Sequence, residues 1–464
     1  MKTQPKILII STLTLIFVLC FFQTDGFGLN VFAASLFFAF AGWMYAQNLQ
    51  QKIVLIGLMV AGAGVFLNGF GWSFFTTIVA FFVAAIGLVL PQFEPFSAFF
   101  MGFLNLLLSP FLTIIEILKS LNKSNSTAPK RAIAVVIPLF LLLIFGGFYY
   151  QSSPTFRSLV GTLHWADFPE FAAITILGIL ISGTFILAFV PAFVQKLFVT
   201  LFIRKSKQID QFVNSPNTST GWLIGIWGLN LLLLVVVASD IFYRLKGELP
   251  QNLSHWQYLH QGIYSSIVSV VFAGVLSVLT GSYAQTQNRK KQLTANHIFI
   301  ALNVVFVFLN VLRNHDYIFH YGLTEKRIVI YFYLALCFVG LMLTVYTILQ
   351  KKSILSLYKL CTFSVAIALI LSSLPNWSNI ITRYNLTHIP KQENRIDYWY
   401  LIGLGPNNAH LLYPHLSQMT DNESEYFQRQ GMYIYTNDSE DFRSFNLADY
   451  WANKSFTQQF ATAK

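Results

Sequence analysis

Long apolar runs separated by short polar segments fill the chain from residue 7 to residue 374. An apolar run of roughly 18 or more residues is typical of a transmembrane helix, because a hydrocarbon core about 30 Å thick needs about 20 helical residues. The runs are continuous rather than alternating, which favours helices over barrel strands. The pattern predicts eleven membrane-spanning helices, at residues 7–22, 29–46, 53–67, 72–90, 132–150, 170–194, 222–243, 259–283, 296–312, 328–349 and 354–374.

After residue 374 the pattern becomes polar. Amphipathic stretches predict helices at 396–404 and 409–416, joined by a turn, and a last helix at 449–460 with Tyr450, Trp451 and Phe456 on its apolar face. The predicted fold class is therefore all-α. It is a polytopic helical membrane protein of about eleven transmembrane helices (residues 1–374) with a small helical C-terminal extramembrane tail (residues 375–464).

The distribution of positive charge predicts the orientation. If the apolar stretch 96–118, which Pro110 and Glu116 interrupt, does not cross the membrane, most Lys and Arg residues fall on one side, including the clusters at 119–131 and 196–207. Cytoplasmic loops are rich in Lys and Arg. We therefore expect 96–118 to be an interfacial or re-entrant helix, with the N-terminus cytoplasmic and the C-terminus extracytoplasmic.

Composition narrows the partners. Only 11% of the residues are charged, and the net charge of +11 comes from Lys and Arg at the predicted helix ends, so the bilayer is the expected partner rather than nucleic acid. Cys20, Cys337 and Cys361 all lie inside apolar runs without a CxxC pair, which argues against a disulfide framework or a cysteine metal site. We expect neither a metal nor a cofactor.

The richest polar stretch, Arg313 to Gly322, lies at the predicted outer end of the ninth helix. Ionisable residues near membrane depth are costly and indicate a functional site. An ordinary polar outer loop is the alternative. The hypothesis is one outer-face polar ligand pocket, lined by the ionisable or aromatic residues at outer helix ends: Asp240, Arg244, His260, Arg313, Asp316, His320, Tyr321 and Arg327.

Several of these residues have a second, structural interpretation. Asp240 and Arg244 are spaced for an ion pair along one helix, or they could share a cleft with Arg313 and Asp316. Asn303 and Asn310 share one helix face, which predicts interhelical hydrogen bonds or a substrate path. Thr324 is well placed to cap the tenth helix.

Three short elements carry a family resemblance. They are Tyr321-Gly322-Leu323-Thr324 with Arg327, then Arg383-Tyr384-Asn385, then Ile396-Asp397 with Tyr400-Leu401. In these elements the chain resembles the bacterial multipass membrane family of domain of unknown function 4173, and its sister family 4153, over roughly residues 130–416. The resemblance implies a bacterial inner-membrane protein and lends no catalytic residues.

Two classes of function remain open on the sequence. The first is a non-enzymatic sensor, scaffold or assembly module whose tail meets a protein partner. The second is a transporter or a lipid-modifying membrane enzyme that uses the outer-face Arg/His/Asp pocket. No nucleotide-binding or nucleophile motif occurs to decide whether the protein is an enzyme.

Overall fold

A computed structural model describes residues 3–24, 26–69, 71–90, 94–103, 105–106, 168–186, 216–246, 269–278, 289–388, 396–436 and 441–462. All regular elements in these ranges are helical. The α-helices are α1 (Thr3–Phe21), α2 (Leu29–Trp43), α3 (Leu49–Asn68), α4 (Trp72–Val89), α5 (95–103), α6 (Phe168–Ile186), α7 (Pro216–Lys246), α8 (Ser269–Val278), α9 (Arg289–Tyr321), α10 (Glu325–Leu349), α11 (Ile354–Ser372), α12 (Trp377–His388), α13 (Tyr398–Gly403), α14 (Ala409–Leu412), α15 (Asp421–Thr436) and α16 (Leu447–Thr462).

Ten of the eleven predicted spans overlap a helix, although parts of the spans at 170–194 and 259–283 lie outside the described residues, as does the whole span at 132–150. Within the described ranges, six helices are long and apolar enough to cross a membrane: α3, α4, α7, α9, α10 and α11. Helices α1, α2, α6 and α8 contain shorter apolar segments. The apolar helices indicate a membrane protein, and the number eleven stays a prediction. Most of the predicted interfacial stretch 96–118 also lies outside the described residues.

Helix α9 is longer than its sequence pattern predicted. The polar stretch after residue 312 forms the last turns of α9 instead of a loop. The helix ends at Gly322, whose φ of +81° is the left-handed conformation that favours glycine, and whose N–H donates to the Ile318 carbonyl at 2.8 Å. Charged residues interrupt the apolar pattern there, but they pair with a neighbouring helix, so the helix continues.

The chain divides into two compact units, and each takes in part of the 375–464 segment. The first unit comprises Met1–Val190, Leu369–Asn376 and Tyr433–Lys464, and the second comprises Pro191–Ala368 and Trp377–Met432. The first unit is built on α1 to α4 and α6, and the second on α7 to α10 and the short helices α12 to α14.

In the first unit, α1 packs against α2 and α6, and α3 packs between α2 and α4. The core is apolar and rich in aromatic rings: Leu13, Phe17, Phe38, Leu55, Leu58, Ala84 and Phe185. Small residues let the helices approach closely. A Cβ on Gly62 would lie 2.6 Å from Ser35 of α2, and one on Gly178 would lie 3.2 Å from Phe17 of α1. These two glycines therefore occupy close-packing positions between helices.

In the second unit, α7 runs parallel to α9, and α8 runs antiparallel to α9. Asn230 of α7 donates to the Ala295 carbonyl at 3.0 Å. Ser269 of α8 donates to the Asn303 side-chain oxygen at 2.7 Å, so the predicted interhelical role of Asn303 is confirmed. The Asn310 amide instead donates within its own helix, to the Phe306 carbonyl at 2.9 Å.

The tail segment contains more helix than its pattern predicted. Helices α12 and α15 were not expected, and the predicted pair at 396–404 and 409–416 is made of shorter α and 3₁₀ turns. Helix α16 matches the predicted last helix, but Tyr450 and Trp451 are exposed, and Ala448 and Ala452 form its buried face. The side chain of Phe456 lies outside the description.

Candidate functional site

Two ion pairs join the parallel helices α7 and α9 near their C-terminal ends. Arg313 of α9 contacts the carboxylate of Asp240 of α7. One turn further along, Arg244 of α7 contacts Asp316 of α9, with an Nη1–Oδ2 distance of 2.8 Å. Each helix contributes one acid and one base, so the pairing ties α7 to α9 in a single register. We call these four residues the ion-pair ladder.

The two rungs of the ladder differ in exposure. The side chains of Arg313 and Asp240 are 8% and 13% exposed, whereas those of Arg244 and Asp316 are 35% and 49% exposed. Asn310 adds a long contact to Arg313, with its Oδ1 atom 3.4 Å from Nη1. A buried charge depends on its partner because solvent cannot replace it, and an exposed pair contributes little. We call Arg313 with Asp240 the inner rung and Arg244 with Asp316 the outer rung. The two helices therefore depend more on the inner rung for their stability, and the outer rung is the pair that is partly open to solvent.

The sequence allowed two arrangements of Asp240 and Arg244: an ion pair along α7, or a cleft shared with Arg313 and Asp316. The ion-pair ladder shows which side chains the two residues contact. Asp240 pairs with Arg313 and Arg244 pairs with Asp316, so both ion pairs run across to α9 instead of along α7. The cross-helix arrangement is the one that brings four of the eight candidate site residues together. Whether these residues line a ligand pocket stays a prediction.

Arg327, a fifth candidate, acts on the end of α9. Its guanidinium donates to the Tyr321 carbonyl at 2.7 Å and to the Gly322 carbonyl, and it lies 4.4 Å from the ring centroid of Tyr317. The last carbonyls of a helix have no partner within the helix and carry partial negative charge. Arg327, from the first turn of α10, thus caps the C-terminus of α9.

The turn between α9 and α10 is held by two residues from far along the chain. Asn385 of α12 donates its amide to the Leu323 carbonyl at 2.9 Å and accepts from the Leu323 N–H at 2.6 Å. The Tyr400 hydroxyl of α13 accepts from the Glu325 N–H at 2.9 Å. Thr324 occupies the predicted N-cap position of α10, but its side chain makes no capping hydrogen bond, and Tyr400 supplies the acceptor instead.

All three elements that carried the family resemblance therefore meet at one turn. We call the assembly of residues 321–327, Asn385 and Tyr400 the motif clamp. Asn408 braces it from behind, since its buried amide donates to the Thr382 hydroxyl at 2.6 Å and to the Leu401 carbonyl at 2.8 Å. Asp397 caps α13 through the Tyr400 N–H at 3.0 Å. Apart from the Arg327 guanidinium and the Asp397 carboxylate, these bonds use backbone groups and the neutral side chains of Asn385, Tyr400 and Asn408, and they attach α12 and α13 to the α9–α10 turn.

Burial shifts the pKa of two side chains of the tail, Tyr400 of the clamp and His410 of α14. Burial raises the pKa of the Tyr400 phenol, so the hydroxyl stays neutral at physiological pH and can accept from the backbone. Burial, and then the positive charge of Arg383, lower the pKa of His410. This histidine is therefore neutral near pH 7.

The remaining candidates are His260, His320 and Tyr321, of which Tyr321 enters the motif clamp through its backbone carbonyl. His320 and Tyr321 are exposed, with ring centroids 6.5 Å apart, and the Tyr321 ring lies 4.8 Å from that of Tyr317. His260 lies outside the described residues. Among the residues that the structure describes, no group of three His, Cys, Asp or Glu side chains is arranged to hold a metal ion.

In the first unit, a separate set of contacts fixes the C-terminal segment. Arg443 donates to the carbonyls of Leu19, Phe22 and Gln23 at 3.2, 2.8 and 3.1 Å, and so caps the end of α1. The Leu29 N–H donates to the Phe445 carbonyl at 2.8 Å, at the start of α2. We call residues 441–446, with these bonds, the C-terminal staple.

From the sequence, Asn385 and Tyr400 were identified only as members of the family motifs, with no structural role. Arg443 was not identified as a residue that attaches the C-terminal segment. One missed element did have a local signal. Thr420 and Glu423 have the spacing of a capping box, and the structure shows the Thr420 N–H and hydroxyl both donating to the Glu423 carboxylate at 2.8 Å, at the start of α15. No short-range signal exists for the others, because their partners are distant in sequence.

Residues 26–414 match the family model described as Domain of unknown function (DUF4153). The match covers most of the chain, so the protein belongs to this family, the sister of the one that the motifs most resembled. The match begins at residue 26 rather than near 130, so α2, α3 and α4 are part of the family domain. No curated protein matches the chain. No solved structure matches it either.

Proposed function

We propose that the protein is a non-enzymatic membrane module, a sensor, scaffold or assembly platform that acts through its extramembrane C-terminal segment. The observation that carries the proposal is the engagement of five of the candidate polar residues with one another or with the backbone. Asp240 pairs with Arg313, Arg244 pairs with Asp316, and Arg327 caps α9. An enzyme or transporter needs polar groups directed at a ligand, whereas these charges join α7 to α9 and cap the C-terminal end of α9.

The motif clamp supports the same proposal. Three elements separated by many residues in sequence all serve to hold α12 and α13 against the α9–α10 turn. A platform requires a rigid connection between its membrane helices and its exposed surface. The clamp is such a connection, built from hydrogen bonds to backbone atoms.

The alternative is a transporter or a lipid-modifying enzyme, and one observation favours it. The outer rung of the ladder, Arg244 with Asp316, is partly exposed and could exchange its internal partner for a charged ligand. A ligand role and a pairing role respond differently to exchange of the two charges. Pairing survives the exchange, whereas recognition of an anion by Arg244 does not.

We further propose the bacterial inner membrane, eleven crossings, a cytoplasmic N-terminus and an extracytoplasmic C-terminus. In the first unit, the Gln23 N–H, after α1, donates to Glu170 at the start of α6 at 3.1 Å, so these two ends lie on one side. Gln51 of α3 donates to the Leu88 carbonyl of α4 at 2.6 Å, at the other end of the bundle. The proposed topology has one membrane crossing between α4 and α6. It therefore requires the end of α4 and the start of α6 to lie at opposite ends of the bundle, and these two hydrogen bonds support that arrangement.

The second unit gives independent support. Three consecutive membrane crossings alternate in direction. Helices α7, α8 and α9 follow one another in sequence and show this alternation, since α7 is parallel to α9 and α8 is antiparallel to it. A labelling experiment tests the orientation. A single cysteine at Asn422 of α15 should react with an impermeant maleimide in intact spheroplasts, and one at Lys52 of α3 only after permeabilisation. The reverse pattern would contradict the orientation.

The proposed function is tested by photocrosslinking in the native membrane, with a benzophenone amino acid at exposed Trp399 of α13 and, as control, at exposed Val329 of α10. A platform predicts a discrete protein adduct at Trp399, retained in the exchanged variant Arg244→Asp with Asp316→Arg. Two observations together would oppose the proposal. No protein adduct would form at Trp399, and native mass spectrometry would detect a bound small molecule that the exchanged variant no longer retains.

A further inference from the structure

The C-terminal segment exposes an unusual number of large aromatic side chains. Phe442 is 73% exposed and Trp451 is 54% exposed, and Tyr450 and Phe445 are also exposed. The opposite face of α16 is buried through Ala448 and Ala452, as described above. The helix thus directs its small residues to the protein and its rings away from it, the reverse of what a water-exposed helix does.

The level of these rings relative to the membrane helices is fixed by the C-terminal staple. Arg443 binds the last carbonyls of α1, and Phe445 binds the first turn of α2 through the Leu29 N–H. The Phe445 ring lies 6.0 Å from that of Phe66, in the last turn of α3. The aromatic face therefore begins where three apolar helices end.

A second aromatic pair lies at the same end of the first unit. Trp72 and Phe75, in the first turn of α4, are exposed and stacked at 5.4 Å between ring centroids. The indole N–H of Trp72 donates to the Ser372 hydroxyl at 2.8 Å. Just before α4, Asn446 of the staple lies against Gly69, within 3.1 Å of the position that a Cβ would occupy.

A positive charge accompanies the rings of α16. The Lys454 ammonium lies 5.1 Å from the Trp451 ring centroid and 5.7 Å from that of Tyr450. Trp and Tyr are enriched at the membrane interface, where an apolar ring body meets polar headgroups. A Lys head group beside them is complementary to lipid phosphate.

We propose that α16 is an interfacial helix that binds the phospholipid headgroup layer, with Phe442, Tyr450 and Trp451 in the acyl boundary and Lys454 on phosphate. The proposal rests on the topology given under the proposed function, because it requires α1 to α3 to cross the bilayer. It adds a lipid-binding surface on the C-terminal segment. The exposed aromatic rings beside a Lys, and their position at the ends of apolar helices, are features that α16 shares with interfacial helices.

Electron paramagnetic resonance depth measurement tests the proposal on the full-length protein. The three native cysteines are replaced by alanine, and single spin labels are placed at Phe442 and Trp451. The protein is reconstituted in vesicles of phosphatidylcholine and phosphatidylglycerol. Labels at exposed Phe40 of α2 and exposed Asn422 of α15 give the lipid and water references.

We expect the labels at Phe442 and Trp451 to lie between the two references, with oxygen favoured over the water-soluble nickel reagent. Access to the nickel reagent equal to that at Asn422 would overturn the proposal. Protection from both reagents would also overturn it, because that pattern indicates a protein on this surface. If Phe40 itself is accessible to nickel, the topology fails, and not this inference alone.

A substitution checks the role of Lys454. In vesicles containing the anionic lipid, Lys454→Gln should move the Trp451 label measurably towards water, and in pure phosphatidylcholine the shift should be smaller. Lys454→Arg, which keeps the charge, should leave the depth unchanged. An unchanged depth in the glutamine variant would remove Lys454 from the proposed contact.

Discussion

The Tyr400 hydroxyl lies 2.9 Å from the Glu325 backbone nitrogen, 75 residues away in sequence, and accepts its hydrogen bond at the start of α10. The N-cap residue of α10, Thr324, makes no side-chain capping bond. Helix caps are normally local, supplied by the residue that precedes the helix. Here the cap comes from the tail, so the start of α10 and the position of α13 depend on each other. In this chain a single phenol therefore couples α10 to α13.

Removing this hydroxyl should destabilise the protein modestly. Tyr400→Phe leaves the Glu325 N–H without its acceptor, and loss of a helix cap costs about 1 kcal/mol in the free energy of unfolding. Thermal unfolding in lipid nanodiscs measures the effect. Tyr333→Phe is the matched control, since Tyr333 is exposed on α10 and its hydroxyl makes no hydrogen bond within the part of the chain that the structure describes. Equal stability of Tyr400→Phe and Tyr333→Phe would contradict the prediction.

Asn385 should be more sensitive, because it makes both bonds to Leu323. Asn385→Leu removes the donor and the acceptor together and leaves two backbone groups of the α9–α10 turn unpaired, a cost of about 2 to 3 kcal/mol. Hydrogen exchange of residues 321–327 should increase with the loss of stability. The exposed Asn422→Leu change on α15 serves as the comparison and should leave that exchange unaltered. A protected turn in the Asn385 variant would exclude the clamp.

The two rungs of the ion-pair ladder should behave differently. Asp240→Asn removes the carboxylate charge that contacts the buried Arg313 guanidinium and should cost about 3 to 5 kcal/mol. Asp316→Asn, at the partly exposed rung, should cost no more than about 1 kcal/mol. Both are read from unfolding in nanodiscs.

A double variant of the Asp240–Arg313 pair distinguishes two causes of instability: an unbalanced buried charge, and the loss of polar side chains as such. Asp240→Leu combined with Arg313→Met removes both buried charges and should be far closer to the unaltered protein than Asp240→Asn alone. If the double variant were as unstable as the single one, the two residues would be acting independently.

Gly28 should tolerate no side chain. A Cβ there would lie 2.1 Å from the Phe445 carbonyl oxygen, which is backbone and cannot rotate away. Gly28→Ala should therefore detach the C-terminal staple, so that limited proteolysis cleaves within residues 441–462 while α3 and α4 remain intact. Gly340→Ala in α10, where a Cβ meets nothing within 4 Å, should be resistant. Equal resistance of both variants would count against the staple.

The staple should also loosen in acid. The hydrogen bonds from Arg443 lower the pKa of the Asp441 carboxyl below its ordinary value of 3.8. A lowered pKa means that Asp441 stabilises the folded state fully above the ordinary value, and that this contribution is lost as the pH falls through the lowered one. A spin label at Tyr450 should thus gain mobility below about pH 4.

Two substitutions test that assignment. Asp441→Asn should remove this acid-induced step, because no carboxyl remains to titrate beside Arg443. Asp421→Asn, at an exposed carboxyl on α15, should retain it. An acid-induced step that persists in Asp441→Asn would assign the titration to another group.

Much of the architecture was predictable because apolar length is a local property. The spans at 29–46, 72–90 and 354–374 coincide with α2, α4 and α11 to within a few residues. The end of α9 was not predicted, since Arg313 and Asp316 look like loop residues until their partners on α7 are known. Helix α12 was missed because its sequence is only weakly apolar, and its anchor, Asn385, binds Leu323 of a distant turn.

The sequence alone determined that this is a helical membrane protein, where most of its apolar helices lie, and which family motifs it carries, because helix formation in lipid requires only a sufficient run of apolar residues. Only the tertiary structure decided what the motifs do. The pairing of Asp240 with Arg313, the capping of α10 by Tyr400 and the attachment of Arg443 to α1 each join residues far apart in sequence. Such partners are chosen by the packing of helices, which a pattern along one chain does not encode.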